Sequence, residues 1–296
     1  MGAQLRVVRR RIRSVQSTKK ITRAMELIAS SRIVKAQQRV EAARPYAIQL
    51  TAAMEDLARN AGSLSHPLLE ERENPTKAGV LVCTSDRGLA GAYSANVIKI
   101  AERTMAKVRE RGLEPVLYVS GKKGAGYFRF RGAEIREDWQ GHTEVPPYEV
   151  ARAIGSRLIE DFAAEDFDEL FCAYTDFRSA FTLRATVKRF LPIAPEEVSG
   201  AGDTVPPEYL FEPEPERILD HLLPEYLITK VYAALRESAA SENAARRRAM
   251  KAATDNADEL MKILIRQANR ARQDEITTEI MEIVGGAEAL AGATKE

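Results

Sequence analysis

The chain has 296 residues, 45% hydrophobic, 6% aromatic and 29% charged, with a net charge of only +1. That length allows one large domain or two modest ones. Two cysteines with no CxxC spacing argue against a disulfide framework, and no run approaches the roughly 18 apolar residues that a membrane span needs.

The charge is unevenly placed. Residues 1–44 carry 12 Lys and Arg against 2 Asp and Glu, a block of +10 that calls for a partner or a solvated face. No apolar stretch follows this basic start, so it does not read as a secretory signal. Between Gly2 and Pro45 there is neither glycine nor proline, and the helical pattern continues beyond Pro45 as far as Gly62. Leu5, Val8, Ile12 and Val15 step by three and four, as do Ile33, Ala36, Val40, Ala43, Ala47, Leu50, Met54 and Leu57. This is the signature of a coiled-coil seam. Ile21, Met25 and Ile28 lie on a different phase, which predicts a local slip of the seam.

The middle of the chain changes character. "AGVLVCTS", "PVLYVSG", "DFDELFCAYTDF" and "TLRATVKRFLPIAP" read as strands. "YSANVIKIAERTMAKVRERG" and "YEVARAIGSRLIEDFAAE" between them read as helices. Alternation of this kind predicts a mostly parallel, Rossmann-like α/β sheet. The proline-bearing segments "RENPTKAG" and "VPPEYLFEPEPER" bound it, giving domains at 1–62, 75–207 and 208–296. Cys83 and Cys172 each sit in an apolar run and are expected as buried structural thiols.

From Glu225 to Val284 there is again neither glycine nor proline. The two uninterrupted runs would make rods of about 60 Å and about 90 Å at 1.5 Å per residue. Leu227, Val231 and Ala234 start one stripe, and Met250, Ala253, Ala257, Leu260 and Leu264 form another. Alanine at contact positions lets helices approach closely. The segment "SENAARRRAMKAATDNADEL" would then turn its small residues toward a partner helix and its arginines outward. The fold class that results is α/β plus long helices, the termini forming an antiparallel coiled coil around a central α/β domain.

Chemistry-bearing patterns are few. "TSDRGLAGAYSAN" is a strand-to-helix turn that could cradle phosphate. Its Gly88 and Gly91 nevertheless match no phosphate-loop spacing, and a tight turn is the alternative. "SGKKGAGYFRF" offers Lys122 and Lys123 beside Gly124 and Gly126 to an anion, or is a solvated turn leading into a helix. His66, His142 and His221 have no metal-ligand spacing. The basic stretch "RVVRRRIRSVQSTKK" could bind nucleic acid through charge but lacks interleaved aromatics for stacking. A charged collar facing an acidic protein is the competing reading.

"SVQSTKKITRAMELIASSRIVKAQ", "ARPYA", "SDRGLAGAYSAN", "MKAATDNADEL" and "EITTEIMEIVGGAEAL", in this order, resemble the gamma subunit of F-type ATP synthase. The likeness covers essentially the whole chain, and "RRRAMKAATDNADEL" is most similar to actinobacterial versions. It implies the non-catalytic central stalk of the proton-translocating enzyme. Its antiparallel coiled coil would stand inside the alpha3beta3 hexamer, with the α/β domain near the epsilon subunit and the c ring. By motif position, the resemblance implies coupling contacts to beta or alpha at Lys20, Arg23, Met25, Arg246, Arg272, Gln273, Thr277 and Glu279. It implies an apolar bearing at Ile276, Ile280, Ile283 and Val284. It further implies no cofactor, no metal, no nucleic acid and no membrane insertion, at the cytoplasmic face of the cell membrane. Met25 has a second reading as a seam residue, and Arg247 and Arg248 as a solvated face. Ala90 stands where many relatives carry cysteine or glycine, so no thiol chemistry is expected there.

The implied shaft predicts that replacing Leu227 and Val231 with glycine weakens coupling more than nucleotide binding. Two other classes stay open. An RNA-binding helical arm predicts salt-sensitive RNA binding, and an α/β enzyme with a helical dimerisation hairpin predicts turnover by the chain alone.

Overall fold

The structure, a computed structural model, describes residues 2–60, 66–177, 179, 182–193 and 215–293. The elements in order are α1 (Gly2–Asn60), β1 (Lys77–Cys83), α2 (Tyr93–Glu110), β2 (Glu114–Ser120) and α3 (Lys122–Phe130). There follow β3 (Glu137–Trp139), α4 (Tyr148–Ala163), β4 (Glu169–Phe177), β5 (Leu183–Leu191) and α5 (Pro215–Ala293). Pro45 lies inside α1 and Pro224 inside α5. Each lacks a backbone donor, so each helix forgoes a hydrogen bond there and continues. The chain groups into two units, Met1–Ile28 with Arg248–Glu296, and Ala29–Arg247. The expected boundaries near 62 and 207 fall outside the described residues.

Within 29–247 the sheet order is β3-β2-β1-β4-β5. β1 pairs in parallel with β2 and β4, β2 pairs in parallel with β3, and β5 runs antiparallel to β4. The apolar run of β1 is explained by burial on both faces. Val80 and Val82 face Val97, Ala101 and Met105 of α2 and Phe128 of α3. Leu81 and Cys83 face the other way, in a core with Ile154, Leu158 and Phe162 of α4, Leu227 and Val231 of α5, and Met54 of α1. Cys83 and Cys172 are buried free thiols, as expected. Gly155 marks where α4 and α5 approach, since a Cβ there would lie 2.6 Å from Ile228 Cγ1. The three-residue β3 has no counterpart among the predicted strands. Its central residue is acidic, and so short an edge strand leaves no period to read.

One dock of α5 on this sheet titrates. Glu237 lies beside Asp176 of β4 and Lys188 of β5, with one carboxylate oxygen buried and unpartnered. Burial raises its pKa first and Asp176 raises it further, to about 7 from the ordinary 4.5, despite Lys188. A carboxyl with a raised folded pKa contributes most when protonated. Its stabilisation is therefore complete below about pH 4.5 and is lost as pH rises through about 7. Glu237→Gln should match the parent near pH 4.5 and exceed it at pH 8 by on the order of 2 kcal/mol. Urea midpoints at pH 5, 6, 7 and 8 test this, and parallel curves for the two proteins would refute it.

In the other unit, the α1 and α5 segments pair antiparallel. Thr22 Oγ1 meets Thr254 Oγ1 at 2.8 Å in a buried contact, and Lys19 pairs with Asp258. Three residues forward on α1 thus match four residues back on α5. The least exposed positions of α1 here are Leu5, Val8, Ile12, Val15, Lys19, Thr22, Met25 and Glu26. Apart from Met25, which flanks the seam, they step by three and four throughout. The predicted slip does not occur. Ile21 and Ile28 are 58% and 52% exposed, and the seam passes instead through polar residues that have partners. On α5 the seam runs through Met250, Thr254, Ala257, Met261, Leu264, Ala268 and Ala271, again by threes and fours. Leu260, predicted in this stripe, is exposed, and Met261 takes its place.

Candidate functional site

The crevice of a doubly wound sheet lies at the carboxyl ends of its strands, where the strand order reverses. In this sheet that point falls between β1 and β4. The turn after β1 is held closed by side chains. Asp86 accepts backbone N–H bonds from Gly141 at 2.8 Å, Thr143 at 3.1 Å and Lys122 at 3.1 Å. Burial raises its pKa and these donors outweigh that, leaving it below the usual carboxylate value. The glycines after β2 serve close approach rather than a ligand. A Cβ on Gly121 would meet Thr84 O at 2.4 Å, and one on Gly124 would meet Thr84 Oγ1 at 2.7 Å.

The start of α2, where a phosphate would dock, is covered by α5. Ala90 and Tyr93 cluster with Ala245. Ser241 Oγ donates to Thr175 O at 3.3 Å, tying the same helix to β4. The whole stretch from Ser238 to Arg246 is buried. Small side chains are what allow a helix to sit so close to strand ends. The segment's arginines divide. Arg247 and Arg248 face outward as expected, whereas Arg246 is only 5% exposed.

Arg246 turns inward to carboxylates. Its Nη2 donates to Glu242 Oε1 at 2.6 Å and to Gly88 O at 3.4 Å. Its Nη1 lies 3.5 Å from Glu144 Oε1. Glu242 has no exposed surface. Burial raises its pKa and Arg246 pulls it back down. Glu144, in the loop from β3 to α4, also receives Arg32 of α1 and lies 3.9 Å from Arg87 of the turn after β1. Side chains from two loops and both long helices therefore meet at one carboxylate. Glu144 carried no sequence signal, because its partners lie far off in the chain. Glu242 had one, the four-residue spacing to Arg246.

The other candidate residues lie in the unit of paired helices. Lys20, Arg23, Arg272, Gln273, Thr277 and Glu279 are exposed, and Met25 is half-buried beside the seam. Arg23 Nη1 donates to Glu26 Oε2 at 2.8 Å, and Thr277 Oγ1 donates to Gln273 O at 2.9 Å. Ile276, Ile280, Ile283 and Val284 are all exposed, Ile283 to 71%. Spacings of three and four place Arg272, Gln273, Ile276, Glu279, Ile280, Ile283 and Val284 on one broad face, away from the seam. Four large apolar side chains left in water on one helical face are the pattern of a contact surface.

A family model described as ATP synthase matches residues 4–290. The ATP synthase gamma chain of Thermobifida fusca is 54% identical, the match covering 99% of each chain. That of Saccharopolyspora erythraea is 51% identical over 99% of this chain and all of its own. This chain belongs to the ATP synthase gamma chain family. The same fold occurs in a chain of the Euglena gracilis mitochondrial ATP synthase (OSCP/F1/c-ring, rotational state 3). There the TM-score is 0.70 at 18% identity, covering 100% of this chain and 97% of that one. Among the described residues no helix is long and apolar enough to cross a membrane.

Proposed function

We propose that this gamma chain is the non-catalytic central stalk of a proton-translocating ATP synthase. It carries torque between a c ring and an alpha3beta3 hexamer, at the cytoplasmic face of the cell membrane. The unit 29–247 serves as the foot, toward the c ring and epsilon subunit, and the paired helices of 1–28 and 248–296 as the shaft. The observation that carries this reading is the exposed face of α5 from Arg272 to Val284. Arg272, Gln273 and Glu279 on that face, with Thr277 beside it, are offered to charged and polar groups of beta. Ile276, Ile280, Ile283 and Val284 offer an apolar surface with few directional bonds, which suits a bearing. Lys20, Arg23 and Met25 add coupling contacts on α1. Arg246 enters through its partners inside the chain. Because the strand-end crevice is taken up by α5, ATP chemistry is assigned to beta, and this chain needs no cofactor. A coupling element shifts its partner only through contacts that differ between states, and an asymmetric helix pair presents a different face to each beta.

The test is mild affinity purification from source membranes with a tag on the α/β domain. Two larger chains, each in threefold excess and with ATPase activity, are expected. A clean monomer, an RNA-bound species or turnover by the chain alone would overturn the reading.

A further inference from the structure

The α/β unit grips both long helices largely through apolar surface, which resists separation but gives little resistance to sliding or twisting. A directional contact is needed to fix the rotational setting of a helix on a sheet. The Glu144 cluster is built that way. It joins α1 through Arg32, the turn after β1 through Arg87, and α5 through Arg246. Its own loop is fastened to that turn by the Asp86 carboxylate, which accepts the Gly141 and Thr143 N–H groups. The Glu144 side chain is 18% exposed and that of Arg246 is 6% exposed. These charges are therefore weakly screened by salt, and their bonds are of the strong, charge-assisted kind. All of these residues lie within 29–247, while α1 and α5 both continue beyond it.

We propose that Glu144 is a positioning residue for torque transfer, a key that locks the rotational setting of α1 and α5 on the sheet. The proposal rests on the stalk reading. Glu144 acts by keeping a twist of the α/β unit from being lost as slippage against the helices. Arg246 is then a coupling residue from the inside, as the α5 half of the lock. Glu242 holds its guanidinium in place.

Glu144→Gln tests the idea, since it keeps shape and removes charge. Three arginines then share one neutral amide in place of a carboxylate. In the full chain, amide hydrogen exchange in 84–91 and 140–147 should rise about tenfold, which corresponds to about 1.4 kcal/mol of opening energy. In the assembled, membrane-reconstituted enzyme, ATP hydrolysis should persist. ATP-driven proton pumping per ATP hydrolysed should fall severalfold, and Glu144→Asp should restore much of it. Unchanged exchange in the free chain would overturn the lock. So would an unchanged pumping ratio, or hydrolysis and pumping falling together, which is what a merely structural role predicts. If the parent chain assembles with no hexamer, the stalk reading itself fails, and that outcome is visible before any variant is compared.

Discussion

Replacing Leu227 and Val231 together with glycine is expected to unfold the α/β unit rather than merely loosen a shaft. Both side chains are fully buried in the core that also holds Ile154, Leu158 and Phe162. Truncating a buried Leu costs about 2–5 kcal/mol, losing a buried Val about 1.5–3 kcal/mol, and each glycine in a helix interior about 1 kcal/mol more. The two sites are one helical turn apart and share neighbours, so their costs need not add simply. Even so the sum, about 6–10 kcal/mol, is comparable to the whole net stability of a domain, about 5–15 kcal/mol. Thermal unfolding of the full chain followed by circular dichroism should show no cooperative transition from this unit above room temperature. Ile280→Gly with Ile283→Gly is the matched control. Those residues are exposed, so the loss should stay near the helix-propensity cost of about 1 kcal/mol each. Equal damage from the two pairs would contradict the burial pattern. The helical stripe through Leu227 and Val231 predicts shaft residues whose loss weakens coupling. Their place under the sheet means that any coupling defect would come from loss of the fold.

Hydrophobic periodicity conveys burial only where apolar residues carry it. The stripes Leu5–Val15 and Leu227–Ala234 were legible because burial there is carried by apolar residues. Between Val15 and Ala29 it is carried by Lys19, Thr22 and Glu26, which a hydrophobic period cannot register. Thr22 is satisfied by Thr254 and Lys19 by Asp258, both more than two hundred residues away. The apolar residues of the same stretch, Ile21, Leu27 and Ile28, point into water. An apolar period on a long helix therefore marks either a seam or a face for another chain. Only partner geometry separates the two.

The sheet was readable for a simpler reason. Strands buried on both faces are mostly apolar, and β1, β2 and β4 stand out as such runs, while the edge strand β5 alternates Leu183, Ala185 and Val187 with Arg184, Thr186 and Lys188. The glycine-rich turns were ambiguous because a phosphate cradle and a close backbone crossing use the same residue. Thr84 resolves them, since it occupies the space a Cβ at Gly121 or Gly124 would need. Among site residues, Arg272, Gln273, Thr277 and Glu279 came from resemblance alone, with no spacing behind them. Glu144 came from neither, since its arginines at 32, 87 and 246 are brought together only by the fold.

Arg246→Leu should be the most damaging single change in the lock, and its pH dependence should identify the cause. Glu242 is fully buried, and Arg246 is its hydrogen-bonded counter-ion at 2.6 Å. Removing one partner of a buried ion pair costs about 3–5 kcal/mol, because the other charge is left uncompensated. The carboxyl can relieve this only by holding a proton. Burial already raises the Glu242 pKa, and losing Arg246 removes the main influence pulling it down. A folded pKa raised above the unfolded value means that stability falls as pH rises through the interval between them. The variant should thus lie closest to the parent at pH 5 and furthest from it at pH 8. Adding Glu242→Gln removes the charge that was stranded. The double variant should regain more than half of the loss at pH 8 and show no such slope, as expected when a buried pair is replaced by neutral groups of similar size. Urea unfolding of parent, single and double variants at the two pH values decides the matter. If the single and double variants coincide at both, leaving the Glu242 carboxyl without Arg246 carries no cost, and the buried-pair account of Arg246 fails.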